Sequence, residues 1–208
     1  MAELRVARTE LILGGQRSGK SRRAEALAQR WLAESPLNGA VLIATAQPGD
    51  DEMRTRIAHH QRDRAARVPG MRTVEEPLAL GTALGQHSDP QTIVVVDCLT
   101  LWLTNLLMPH EPAKEQPGNS ENSVDHQSNK SLAQALPAQA AMLLIAIKEA
   151  AGPVVLVGNE IGLGVIPMGR ETRAFVDALG HLNQDVAAVC ERVTFMAAGL
   201  PLVLKGSP

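Results

Sequence analysis

The sequence predicts a doubly wound α/β domain with a mostly parallel sheet, helices on both faces and a C-terminal antiparallel hairpin. Four short runs, residues 10–13, 41–44, 92–96 and 154–157, are apolar with almost no polar interruption, as expected of strands buried on both faces. Helical patterns alternate with these runs, which is the signature of a layered α/β structure. Near the end, residues 192–197 and 202–204 flank Gly199-Leu200-Pro201, a hairpin pattern. With 208 residues, 45% of them hydrophobic, the chain supports one sizeable core, so residues 1–208 are expected to form a single domain.

In chain order, the first strand at 10–13 leads into a glycine-rich loop and a helix at 21–33. The strand at 41–44 precedes a helix at 51–65 that opens on Asp51 and Glu52, acids suited to the positive end of a helix dipole. A helix at 77–86 and the strand at 92–96 follow. Residues 109–130 carry Pro, Asn, Ser, Gln and charges with almost no apolar side chain, too little to offset ordering entropy. They are read as a disordered surface insertion, with a lid as the alternative. Helices at 132–150 and 170–190 enclose the strand at 154–157.

Composition narrows the partners. A formal net charge of −2 provides no broad basic field for nucleic acid, and two Phe, two Trp and no Tyr supply no stacking platform. Cys98 and Cys190 are the only cysteines, no disulfide framework. No run reaches the ~20 apolar residues of a membrane span and no signal-type stretch opens the chain. The expected location is cytoplasmic.

Gly14-Gly15-Gln16-Arg17-Ser18-Gly19-Lys20-Ser21 fits G-x-x-x-x-G-K-[ST] at every fixed position. Glycines let backbone N–H groups turn inward around phosphates, Lys20 reaches the β and γ oxygens, and the Ser21 hydroxyl coordinates Mg²⁺. The helix starting there adds its positive end. Such a match arises by chance in roughly one chain per hundred of this length, and the preceding strand and following helix make it more specific. The loop is therefore expected to bind a nucleoside triphosphate, and the predicted fold is a P-loop NTPase of RecA-like type. Asp97, at the end of the 92–96 strand, is the expected second metal-side acid with Ser21; a cap for the next helix is the alternative.

At about 100° per residue, Met53, Ile57 and His60 share one stripe of the 51–65 helix, while His59 points away. His60 is therefore expected to face the protein, with Arg56 one turn before it. A histidine on such a face is usually structural, yet neutral imidazole is also a nucleophile towards phosphorus. Asn159-Glu160 closes a strand where α/β sheets place ligands, or else belongs to a loop shaped by Gly162 and Gly164. Arg170 and Arg173 at a helix start are candidates for phosphate or plain surface charges.

The loop at 14–22, Ile43-Ala44-Thr45-Ala46, residues 50–53 and 56–60, Asp97-Cys98-Leu99-Thr100 with Thr104-Asn105-Leu106-Leu107, residues 159–167 and Gly180-His181-Leu182-Asn183-Gln184 together resemble the bifunctional adenosylcobinamide kinase/adenosylcobinamide-phosphate guanylyltransferase family. The resemblance covers nearly the whole chain outside the first ten residues and 109–130. It implies phosphorylation of adenosylcobinamide with ATP or GTP, then transfer of GMP from GTP through a histidine to the phosphate. The family's guanylylated residue corresponds to His60. The resemblance further implies Lys20 as a catalytic charge, Ser21 and Asp97 on Mg²⁺, Arg56 near the phosphate at His60, and a homotrimer. Two rivals share the phosphate loop: a P-loop kinase of another small molecule, with His60 structural, and a nucleotide-switch ATPase acting on a protein partner.

Overall fold

The computed structural model describes residues 4–47, 51–108 and 126–207; within helices, the side chains at 51–54, 56–57, 60 and 126–135 lie outside what is described. In chain order it contains β1 (Thr9–Gly14), α1 (Lys20–Glu34), β2 (Gly39–Ala44), α2 (Asp51–Arg67), β3 (Met71–Glu75), α3 (Leu80–His87), β4 (Thr92–Asp97), α4 (Leu99–Leu107), α5 (His126–Glu149), β5 (Val154–Val157), α6 (Arg170–Val189), β6 (Arg192–Ala197) and β7 (Leu200–Lys205). The strands form one sheet in the order β3-β2-β4-β5-β1-β6-β7. Every pairing is parallel except β6 with β7. The expected mostly parallel sheet with a closing antiparallel pair is thus observed.

Strand alternation sorts the core into two layers. Leu11, Leu13, Val94, Val96 and Leu156 pack with α3, α4, α5 and α6. Ile12, Leu42, Ile93, Val95 and Val157 pack with Ala24, Leu27 and Ala28 of α1 and with Val68 just after α2. All six residues of β1 are buried, because β1 lies between β5 and β6 and under helices on both faces. The strand also buries a carboxylate: Glu10 accepts hydrogen bonds from Arg23 Nε and Thr194 Oγ1, each at 2.8 Å, with Arg192 at 3.6 Å. These contacts fasten the start of α1 to the β1–β6 pair, beside the loop that joins β1 to α1.

Some elements differ from expectation. β3 has only two apolar residues, Met71 and Val74, because it is an edge strand with one flank unpaired. α4 has only a narrow polar stripe, Thr100 and Thr104, while it buries Leu99, Trp102, Leu103, Asn105 and Leu106; so short a helix with so little polar face gives a weak amphipathic period to read. α3 starts three residues late because Glu76 Oε1 accepts from the N–H groups of Leu78 and Ala79, forming a turn before the helix. α5 begins at His126, so residues 126–130 of the polar stretch are helical, whereas 109–125 lie outside the described residues.

Candidate functional site

The β1–α1 loop follows from its glycines. Gly14 has φ +149°, and a Cβ there would sit 2.4 Å from the Met196 carbonyl oxygen. Gly19 has φ +102°, and its Cβ would meet Gly199 Cα at 3.3 Å. Only glycine combines such dihedrals with such close backbone approach. The loop is tied down on both sides: Gly14 O accepts from Glu160 N at 3.2 Å, and Ser18 O accepts from Gly199 N at 3.0 Å in the hairpin turn. Gly15 faces open space. The result is a fixed backbone ring at the N-terminus of α1, whose first N–H groups have no intrahelical acceptor.

Lys20, the first residue of α1, is 8% exposed, and its Nζ donates to the Gly15 carbonyl at 2.5 Å. Burial lowers the pKa of its ammonium group, while Cys98 and Asp97 oppose that shift. Beside the ring, the Ser18 hydroxyl is buried without a hydrogen-bond partner among the described residues. A buried ammonium and an unsatisfied hydroxyl at the mouth of a helix suit an anionic ligand, which would offset their desolvation.

Loop 15–22 and Asp97 line one cavity of about 1360 Å³. β4 ends at Asp97, two strands from β1 across β5, so the parallel sheet presents both strand ends at the same edge. The crossing from β4 to α4 is held by Thr45, whose hydroxyl donates to Cys98 O at 2.8 Å and accepts from Cys98 N at 3.0 Å. Asn105 Nδ2 then donates to Thr45 O at 2.7 Å and to Pro77 O at 3.1 Å. The Ser21 hydroxyl and the Asp97 carboxylate are hard oxygen donors on the same cavity, and Mg²⁺ takes one or two protein oxygens with water and phosphate completing its shell. The donor set fits that ion.

Asn159 and Glu160 also line this cavity. Asn159 N donates to Thr100 Oγ1 at 2.9 Å and its carbonyl accepts from Asn183 Nδ2 at 3.1 Å. Arg173 is not at this cavity; its Nη1 donates to the Pro167 and Met168 carbonyls, holding the end of the 160–168 loop. Arg170 is exposed at the start of α6 and does not line the cavity either.

Helix α2 forms the opposite wall through Thr55, His59, Gln61, Asp63, Arg64 and Arg67. The side chains of Arg56 and His60 lie outside the described residues. His59, expected to point away, lines the cavity at its rim, with Nε2 3.4 Å from Asp63 and its side chain 66% exposed. Sequence reasoning missed Arg64, which is 7% exposed and places Nη2 3.8 Å from Asp97 Oδ2. Its spacing was the available signal: position 64 follows position 60 by one helical turn. Arg67 pairs with the buried Glu25 at 2.8 Å.

A family model described as cobinamide kinase / cobinamide phosphate guanyltransferase matches residues 10–204. The bifunctional adenosylcobalamin biosynthesis protein CobP of Pseudomonas aeruginosa is 47% identical over 199 residues, covering 96% of this chain and 98% of that protein. The bifunctional adenosylcobalamin biosynthesis protein CobU of Escherichia coli K12 is 35% identical over 195 residues, covering 94% and 98%. A solved structure from Pyrococcus horikoshii OT3 shares the fold at 14% identity, with a TM-score of 0.50 over 98% of this chain and 89% of that one. Both the family match and the full-length relatives run through the phosphate loop, α2 and the 159–167 segment, and the chain belongs to the cobinamide kinase / cobinamide phosphate guanyltransferase family.

Proposed function

We propose that the chain phosphorylates adenosylcobinamide with ATP or GTP and then transfers GMP from GTP, through a guanylyl group on His60, to adenosylcobinamide phosphate, giving adenosylcobinamide-GDP. The observation that carries this reading is that a single cavity is walled on one side by the phosphate loop with Lys20 and on the other by α2, the helix that contains position 60. Two phosphorus transfers on one substrate call for such a shared space. The family relationship supports the same pair of reactions. The fold is read as a P-loop NTPase of RecA-like type.

In the kinase step, Lys20 and the loop amides balance charge on the β- and γ-phosphates while the substrate hydroxyl attacks the γ-phosphorus and the nucleoside diphosphate leaves. Ser21 and Asp97 would hold Mg²⁺, which neutralises phosphate charge when bound. In the second step, a ring nitrogen of His60 attacks the α-phosphorus of GTP, forming a P–N bond as the bond to pyrophosphate breaks. A phosphate oxygen of adenosylcobinamide phosphate then attacks the same phosphorus, the P–N bond breaks, and the imidazole is regenerated. Arg56, one turn before His60, is assigned to steady the guanylyl phosphate.

His59 is the second candidate for the nucleophile because it lines the cavity. Its side chain is 66% exposed beside Asp63 at 3.4 Å, a solvated position, whereas position 60 shares a helical stripe with buried Arg64. A cytoplasmic homotrimer completes the proposal; no helix among the described residues is long and apolar enough to cross a membrane. The test is incubation with GTP labelled at the α-phosphate. Acid-labile, base-stable label on the protein is expected of a phosphoramidate, and an unlabelled protein sinks the guanylyl-histidine mechanism while leaving the kinase assignment to stand.

A further inference from the structure

We infer that Arg64 binds the α-phosphate during guanylyl transfer, so that the triphosphate is held by cations with separate tasks: Lys20 for the β- and γ-phosphates, and Arg64, alongside the Arg56 assigned above, for the phosphorus that moves. This rests on the guanylyltransferase reading above.

Among the described cations of the cavity wall, Arg64 and Lys20 are the buried ones. Arg17 and Arg22 are exposed, and Arg67 is committed to Glu25 at 2.8 Å. Arg64 is placed differently. Its guanidinium touches one carboxylate oxygen of Asp97 at 3.8 Å, too long for a hydrogen bond, and its Nε is buried without a hydrogen-bond partner among the described residues. The nearby Asp97 and the buried Glu25, whose charged form Arg64 favours, leave that Nε–H unused, and a buried guanidinium donor without an acceptor is costly unless an anion meets it. Its planar fork matches phosphate oxygens bidentately, which an ammonium group cannot reproduce.

Position determines which phosphate that is. Lys20 already contacts the loop carbonyl of Gly15, placing its charge inside the ring that takes the terminal phosphates. Arg64 extends from α2, four residues after His60, a separation of about 6 Å along the helix. A phosphorus bonded to position 60 therefore lies within reach of the position-64 side chain, whose Nη2 lies 3.8 Å from Asp97 Oδ2 on the same cavity.

The experiment measures the rate of label incorporation from α-labelled GTP at saturating GTP for Arg64→Ala and Arg64→Lys, with melting temperature recorded for both. Loss of one preorganised charge contact to a developing oxyanion lowers such rates by ~100-fold or more. The Ala variant is expected to show that loss, millimolar guanidinium ion to restore at least about tenfold of it, and the Lys variant to fall between. Methylammonium at the same concentration should restore less. Labelling of the Ala variant within about threefold of wild type overturns the inference, as does a deficit that neither lysine nor guanidinium relieves. If the unmodified protein takes no label at all, the guanylyltransferase reading itself fails and Arg64's role falls with it.

Discussion

Lys20 shows how one buried charge shapes the site. Its pKa is lowered chiefly because burial disfavours the ammonium form. A depressed folded-state pKa means that keeping Lys20 charged costs stability at all pH values below that pKa; the cost shrinks as pH rises towards the unfolded value and disappears above it. A bound triphosphate supplies the opposite charge and raises the pKa again. Nucleotide binding near the lowered pKa should therefore take up a proton, seen by calorimetry in buffers of different ionisation enthalpy, and Lys20→Met should abolish that uptake. Lys20→Ala is expected to weaken both phosphorus transfers by ~100-fold or more, and full kinase turnover in that variant would contradict the role of the loop.

The two cysteines are silent by the same physics. Burial pushes the Cys98 thiol up to about 11 and the Cys190 thiol up to about 12, so both remain protonated at pH 8 and present no thiolate to an alkylating reagent. Iodoacetamide at pH 8 should leave native protein unmodified and modify both positions once urea unfolds it. Rapid alkylation of the native protein would show that one of these sites opens. The sequence made the loop residues legible because their spacing is itself the chemistry. It did not reveal Arg64, since the burial of a charged helical residue depends on what packs across the cavity.

At the scale of elements, α4 carries more than its length suggests. Trp102 is fully buried with its Nε1 donating to Leu78 O at 2.8 Å, and Asn105 reaches the carbonyls of Thr45 and Pro77. Asn105 thereby ties α4, the helix that follows β4, to the segments just after β2 and β3. Asn105→Leu removes the donor from the buried Thr45 carbonyl and the part-buried Pro77 carbonyl and should cost about 1–3 kcal/mol in urea unfolding; an unchanged midpoint would mean that these carbonyls find other donors. α4 and β3 escaped the sequence reading because one buries nearly every face and the other sits at an edge with two apolar residues. The strands β1, β4 and β5 were legible for the opposite reason, since burial on both faces leaves a nearly uninterrupted apolar run.

On the scale of the whole molecule, alternation of strands and helices foretold a parallel sheet but not its order, which depends on pairings between residues far apart in sequence. That order brings Gly14 and Asp97 to one edge with β5 between them, a proximity visible only after folding. The same sheet ends in β7, where Leu200, Leu202 and Leu204 are 71%, 59% and 58% exposed. Alternate leucines on an edge strand form an apolar row that monomers seldom leave in water. If the proposed trimer uses this row, Leu202→Glu should shift the protein towards monomer in light scattering, while an unaltered mass would place the subunit contact elsewhere.

The most direct measurement of the guanylyl-histidine mechanism is mass-spectrometric mapping of the GMP adduct after incubation with GTP, in wild type, His60→Ala and His59→Ala. The mechanism predicts the adduct on His60 in wild type, its disappearance in His60→Ala and its persistence in His59→Ala. An adduct on His59, or one that survives loss of His60, would contradict it.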